Sequence, residues 1–275
     1  MSDVVPAGFE RVKVGTTELV AHADSAASLT SALQQAPTVY DWAAEQPQHR
    51  ALRGRAPVYV ATLQSGATVA VRHVWHGGAF APITRDLWLR PSRAPRELRK
   101  SIALVNGGVP TAPILGYALY PAGPGLVRVD VVSKYIEDTY DLGAVLRGLA
   151  AGISIEEAAA ATRRIVSTLN RQQLVHPDLN VKNILLQKSA SSSRTEASAT
   201  DGVRAFVIDT DTMRHRTDLT QARVSELNME RLARSLRKWR RQTESTFDVR
   251  QLLGTIIMAS PAEHSPLPPI IGFDD

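Results

Sequence analysis

The string His176-Pro177-Asp178-Leu179-Asn180-Val181-Lys182-Asn183, running straight into Ile184-Leu185-Leu186, constrains this chain more than any other stretch. Leu174-Val175 precedes it, and a later apolar run, Ala205-Phe206-Val207-Ile208, ends in Asp209. Short apolar runs bounded by polar segments read as strands. The pattern therefore asks for a loop that leaves one strand, presents polar side chains and returns into another. The next strand then delivers a carboxylate at its far end. A lone His-x-Asp is a common polar turn. The full string, with Asn183 five residues after Asp178 and Asp209 beyond one excursion, is far more specific.

That spacing is the H-x-D-x-x-x-x-N plus strand-Asp layout of protein-kinase-like phosphotransferases. Asp178 is the candidate catalytic residue: it orients an acceptor hydroxyl and accepts its proton late, as the bond to phosphorus forms. His176 buttresses the loop. Asn183 offers a carbonyl oxygen, and Asp209 a carboxylate, to a Mg2+ ion bridging the phosphates of ATP, since hard cations take oxygen ligands. Asn183 and Asp209 are thus both metal and cofactor-binding candidates.

A phosphate-binding cation should sit on a strand of the first half. Thr68-Val69-Ala70-Val71 leads into Arg72, where lysine is usual, and arginine carries permanent charge. Its expected partner is Glu97, on a helix predicted over Arg93 to Val105. Gly54, in Leu52-Arg53-Gly54-Arg55-Ala56, holds the place of a nucleotide lid, although one glycine also suits a plain turn. His73-Val74-Trp75-His76-Gly77-Gly78 suggests an acceptor-binding loop; the two histidines alone are a poor basis for a metal site.

Alternating patterns predict a hairpin over Phe9 to His22 and strands over Val58 to Leu63, Thr68 to Val71, Pro113 to Tyr120 and Val127 to Tyr135. Helices are expected over Ser28 to Gln35, Thr139 to Leu149 and Glu226 to Arg241, with a last one over Phe247 to Met258. Ser154-Ile155-Glu156-Glu157 reads as a capping box opening a helix that runs to about Gln172. Lys188 to Gly202 has no apolar period and reads as an excursion, and Ser265 to Asp275 as an irregular tail. The fold class is therefore α+β, a bilobal protein-kinase-like fold with a strand-rich N-terminal lobe (1–137) and a helical C-terminal lobe (138–275).

Composition narrows the setting. With 275 residues the chain can bury a real core, and without cysteine it has no disulfide framework. The net charge of +5 suits phosphorylated or anionic partners. Aromatics make up 5% and do not interleave with the basic residues, which argues against a nucleic-acid stacking platform. Met1 to Glu10 lacks a signal-peptide pattern, and no run nears the roughly 18 apolar residues of a membrane span. The expected location is the cytoplasm or the cytosolic face of a membrane.

Taken together, these segments resemble the 3-deoxy-D-manno-octulosonic acid (Kdo) kinases of lipopolysaccharide assembly. The matching elements are Val71-Arg72-His73 with Gly77-Gly78, the His176 to Leu186 string, Ile208-Asp209-Thr210-Asp211, and Leu227-Asn228-Met229-Glu230-Arg231-Leu232-Ala233-Arg234-Ser235-Leu236. Arginine in place of the strand lysine is itself like that family. The resemblance implies transfer of the γ-phosphate of ATP to a hydroxyl of Kdo on a lipid A precursor, at the cytosolic face of the inner membrane. The basic helix Arg231 to Arg241 would then face lipid or anionic sugar, or simply solvent. The chain departs from the family at Thr210, often aromatic there, and in Ala79-Phe80-Ala81-Pro82 after Gly78, and its excursion is long. Those departures bear on the acceptor. A heptose, an aminoglycoside-like compound or a protein hydroxyl stays open as acceptor, as does a nucleotide-binding pseudokinase.

Overall fold

The computed structural model describes residues 4–52, 56–76, 86–188, 202–257 and 267–273. It divides into two compact units: Met1–Ile102 with Pro113–Tyr135, and Ala103–Ala112 with Ile136–Asp275.

The first unit is built on an antiparallel sheet. Its elements in order are β1 (Phe9–Val14), β2 (Thr17–His22), α1 (Ala23–Gln35), α2 (Val39–Glu45), β3 (Arg50–Leu52), β4 (Val58–Thr62), β5 (Thr68–His73), β6 (Trp88–Leu89), α3 (Ala94–Asn106), β7 (Ile114–Pro121) and β8 (Leu126–Lys134). From Ala103 onward, α3 belongs to the second unit. The strand order is β1-β2-β7-β8-β5-β4-β3, with β6 added beside β8.

Successive strand residues point to opposite faces, and this sequence uses both. Leu19, Ala21, Val69, Val71, Ala118, Tyr120 and Val132 pack with the α1 and α2 residues Leu29, Val39 and Trp42. Their neighbours Val20, Tyr117, Leu119, Val127, Val129 and Val131 pack with Ala94 and Leu98 of α3. The alternation has a direct consequence for the site. With Val71 on the α1–α2 face, Arg72 projects toward α3 and His73 projects back.

The second unit contains β9 (Thr139–Asp141), α4 (Leu142–Val145), α5 (Ile155–Arg171), β10 (Leu174–Val175), β11 (Ile184–Lys188), β12 (Val203–Val207), a 3-10 turn (Thr210–Thr212), β13 (Arg214–His215), α6 (Gln221–Thr243) and α7 (Val249–Ile257). The strands form a β12-β11-β9 sheet and a β10-β13 pair. Its core gathers Ile165 and Leu169 of α5, Leu232 and Leu236 of α6, and Leu252 and Ile256 of α7 around Leu174, Leu179, Ile184 and Leu186.

The α+β expectation holds, strands first and helices second. The capping box is present: Glu157 N donates to Ser154 Oγ (3.1 Å) and Ser154 N to Glu157 Oε2 (2.8 Å). The helix expected over 139–149 is corrected. Thr139–Asp141 pairs with β11 instead, and Asp141 Oδ1 accepts from Ala144 N at 2.8 Å, so the aspartate ends a strand and caps one short turn of helix. Cross-strand pairing overrides helix propensity there. Helix α6 begins earlier than expected because Thr220 caps it, its side chain accepting from Arg223 N (3.3 Å). The tail at 267–273 lacks regular structure but is tied down: Gln172 Nε2 donates to both Pro268 O and Gly107 O, at 2.7 Å each.

Candidate active site

In the second unit the loop between β10 and β11 is anchored by its apolar residues. Leu179 and Val181 point into the core, leaving Asp178 and Lys182 outside. Asn180 holds the turn from within. Its Oδ1 accepts from Lys182 N (2.8 Å) and Asn183 N (3.2 Å), and its Nδ2 donates to Asp178 O (3.0 Å). An asparagine side chain substituting for backbone partners in this way is an Asx-type turn.

His176 is buried, 1% exposed, and its ring is fully committed. Asp178 N donates to Nδ1 (3.2 Å), so the ring proton resides on Nε2 and is donated to Ile208 O (3.1 Å). Burial lowers the imidazole's pKa, and the neutral ring is the form those two bonds require. The sequence-based role of buttress fits this geometry.

Ile208 is held from both sides. Its carbonyl meets His176, and its N–H donates to Asn183 O at 3.0 Å. The clamp brings the end of β12 beside Asn183, and the next residue is Asp209. Asp209 is exposed and left-handed, with φ 60° and ψ 45°. Asn183 turns its Nδ2 toward the Asp178 carbonyl (2.9 Å), and no described residue donates to its Oδ1. Asp178, Asn183 and Asp209 are therefore assembled at one end of this unit's strands.

Asp178 is half-exposed. Arg231 Nη2, on α6, donates to its Oδ1 at 2.7 Å. Its Oδ2 lies 3.5 Å from Asn183 Nδ2, at the outer limit of a hydrogen bond. Desolvation works against the charged form, but the hydrogen bonds from Arg231 and Asn180 outweigh it, and the carboxyl's pKa lies below its ordinary value. Lys182 points elsewhere: Nζ pairs with Asp141 (3.1 Å) and lies 4.5 Å from the Trp239 ring centroid.

In the first unit, Arg72 Nη2 donates to Glu97 Oε2 at 2.9 Å, so the expected strand–helix pair forms. Glu97 is only 5% exposed, and its other oxygen accepts from Arg93 Nε one turn earlier. Arg93 in turn lies over Trp88, 5.4 Å from the ring centroid. Gly54 and Gly77-Gly78 lie outside the described residues. Both nitrogens of His73 are engaged by carboxylates, Asp130 at 2.7 Å and Asp86 at 3.1 Å, while His76 Nε2 meets Leu87 O (2.7 Å) and its ring stacks on Trp88. Among the described residues no cluster of three or more His, Cys, Asp or Glu could hold a metal.

Residues 24–254 match the sequence profile of the lipopolysaccharide kinase (Kdo/WaaP) family. The chain belongs to that family. Among its relatives is a 3-deoxy-D-manno-octulosonic acid kinase of Actinobacillus succinogenes, 30% identical over 45% of this chain and 52% of its own length. One of the same name from Pasteurella multocida is 28% identical over 63% of this chain and 67% of its own. The alignment thus spans about half the length of the first relative and two thirds of the second. A solved structure, WaaP in complex with acyl carrier protein, is 17% identical over 78% of this chain and 86% of its own, with a TM-score of 0.43.

Sequence reasoning missed three members of this Kdo/WaaP-family site, all on α6. Asn228 is fully buried; its Oδ1 accepts from His176 N (3.0 Å), and its Nδ2 donates to Leu174 O and Asn170 Oδ1, each at 2.9 Å. Ser235 Oγ accepts from Val181 N at 3.1 Å. Arg231 lies between them. Residues spaced three and four apart share one helix face, so 228, 231 and 235 form a polar stripe beside the buried Leu232 and Leu236. That interruption of an apolar face was the readable signal.

Proposed function

We propose that this chain transfers the γ-phosphoryl group of ATP to a hydroxyl of Kdo on a lipid A precursor. The observation that carries the reading is the Ile208 clamp, which gathers Asp178, Asn183 and Asp209 at one end of the β11–β12 hairpin in a Kdo/WaaP-family chain. In the step itself, the acceptor oxygen bonds to γ-phosphorus and the bond from phosphorus to the bridging oxygen breaks. ADP departs with that electron pair, and the hydroxyl proton passes to Asp178 Oδ2. Asn183 Oδ1 and the Asp209 carboxylate are hard oxygen donors suited to Mg2+, which takes one or two protein ligands plus phosphates and water. Bound there, it would neutralise charge on the phosphates. Arg72, oriented by the buried Glu97, is assigned to the α- and β-phosphates, and Gly54 to the lid over them.

The reaction would run at the cytosolic face of the inner membrane. Arg234, Arg237, Lys238, Arg240 and Arg241 of α6 are exposed, a basic face suited to peripheral contact with anionic lipid. No described helix is long and apolar enough to cross a membrane. Incubation with labelled ATP, magnesium and Kdo-lipid A should yield labelled lipid. Transfer to a heptose, an aminoglycoside or a protein instead would reject the acceptor, and ATP binding without any transfer would make the chain a pseudokinase.

A further inference from the structure

We propose that Arg231 is the positioning residue of the phosphotransfer site: its guanidinium ties down Asp178 Oδ1 and leaves Oδ2 to meet the acceptor hydroxyl. This rests on the reading of Asp178 as the base. Three observations carry it. Arg231 Nη2 lies 2.7 Å from Oδ1, and Asp178 is the sole hydrogen-bond partner of that guanidinium among the described residues. Among the described residues the nearest printed approach to Oδ2 is that of Asn183 Nδ2 at 3.5 Å, against 2.7 Å for Arg231 at Oδ1, so one carboxylate oxygen is held tightly and the other loosely. Arg231 is itself fixed, because α6 is fastened to the same loop at Asn228, three residues before it, and at Ser235, four residues after it.

The pair is not a stability device. The side chains are 40% and 44% exposed, and ion pairs so open to water contribute little to folding. Its use lies in orientation. A guanidinium N–H donates in one direction set by its rigid plane, which a freely rotating lysine ammonium does not, and a base misplaced by about 1 Å loses roughly a hundredfold in rate. Helix α6 thereby belongs to the catalytic apparatus, although it carries none of the loop's signature residues.

The test compares wild type with Arg231→Met and Arg231→Lys. In R231M, transfer to the acceptor should fall about 10- to 100-fold, with KM for ATP within about twofold. ATP hydrolysis to water should fall much less, so the ADP formed per phosphorylated acceptor rises. R231K should recover part of the transfer. Unchanged transfer, or transfer and hydrolysis falling in the same proportion, would overturn the proposal. A readout independent of any acceptor is the orientation of the Asp178 carboxylate in crystal structures of the wild type and the variants. It should be single in the wild type and turned, or spread over two orientations, in R231M, and likewise in Arg231→Gln if the methionine variant does not fold; an unmoved single orientation overturns the proposal. Wild type that phosphorylates no Kdo acceptor would reject the proposed function, while this comparison would still decide whether Arg231 holds Asp178.

Discussion

His176 Nε2 and the Ile208 carbonyl lie 3.1 Å apart, and this contact is one of two that fasten the loop bearing Asp178 to the strand that delivers Asp209. Asp178 and Asp209, the proposed base and the proposed metal ligand, are therefore not independent features. A change at the buried imidazole displaces both.

Replacing Asp178 with asparagine should lower transfer to the acceptor by about 10²- to 10⁴-fold, the usual contribution of a general base. The side chain is half-exposed, so the folded structure should survive. Circular dichroism and thermal melting would check the second expectation, and steady-state kinetics the first.

Two histidines should give stability opposite dependences on pH. The folded-state pKa of His176 lies below the ordinary 6.5 because burial disfavours its charge. The unfolded chain then binds the extra proton, and stability is lost as pH falls from about 6.5 toward the folded value. His73 is raised instead: desolvation opposes its charge, but Asp130 and Asp86 outweigh it. Its contribution is fully present below about pH 6.5 and is lost as pH rises through the folded pKa. Urea unfolding from pH 5 to 8 should show the acid loss vanish in His176→Gln and the alkaline loss vanish in His73→Gln.

Glu97→Gln should raise KM for ATP several-fold, because Arg72 loses the charge that holds it against α3. The cost in stability should be modest, about 1–2 kcal/mol, since Arg72 is 38% exposed and water can take over part of its solvation. An unchanged KM would remove Arg72 from the phosphate site.

Asn228→Ala should destabilise the fold by about 2–4 kcal/mol. It leaves the His176 N–H and the Leu174 carbonyl without their partner in a fully buried place. Loss of transfer should exceed that expected from the unfolded fraction alone, because His176 anchors the loop. Chemical denaturation together with kinetics on the folded fraction would separate the two effects.

Much of this was readable in advance because it is local. Period-two alternation and short turns revealed the hairpins, and the spacing from His176 to Asn183 revealed a loop whose turn is made by its own Asn180. The pairing of Arg72 with Glu97 followed from the kinase-like layout, which sets a phosphate-binding cation at a strand end and its carboxylate partner on the next helix. The role of α6 was not local. Asn228, Arg231 and Ser235 act on backbone and carboxylate more than 50 residues away in sequence, and helix periodicity records which face is buried without saying what it meets. Thr139 to Asp141 failed for the same reason, since its partner strand β11 lies beyond α5.

Asp209 has a further consequence. A side chain in the left-handed region costs about 1–2 kcal/mol, least for aspartate and asparagine, and glycine escapes the penalty. Backbone conformation alone would favour glycine at this turn. Asp209→Gly should therefore melt close to the wild type, the relief of the backbone offsetting the loss of the side chain's own interactions, while losing phosphotransfer. Here the residue that backbone geometry prefers and the residue that turnover requires part company at a single codon.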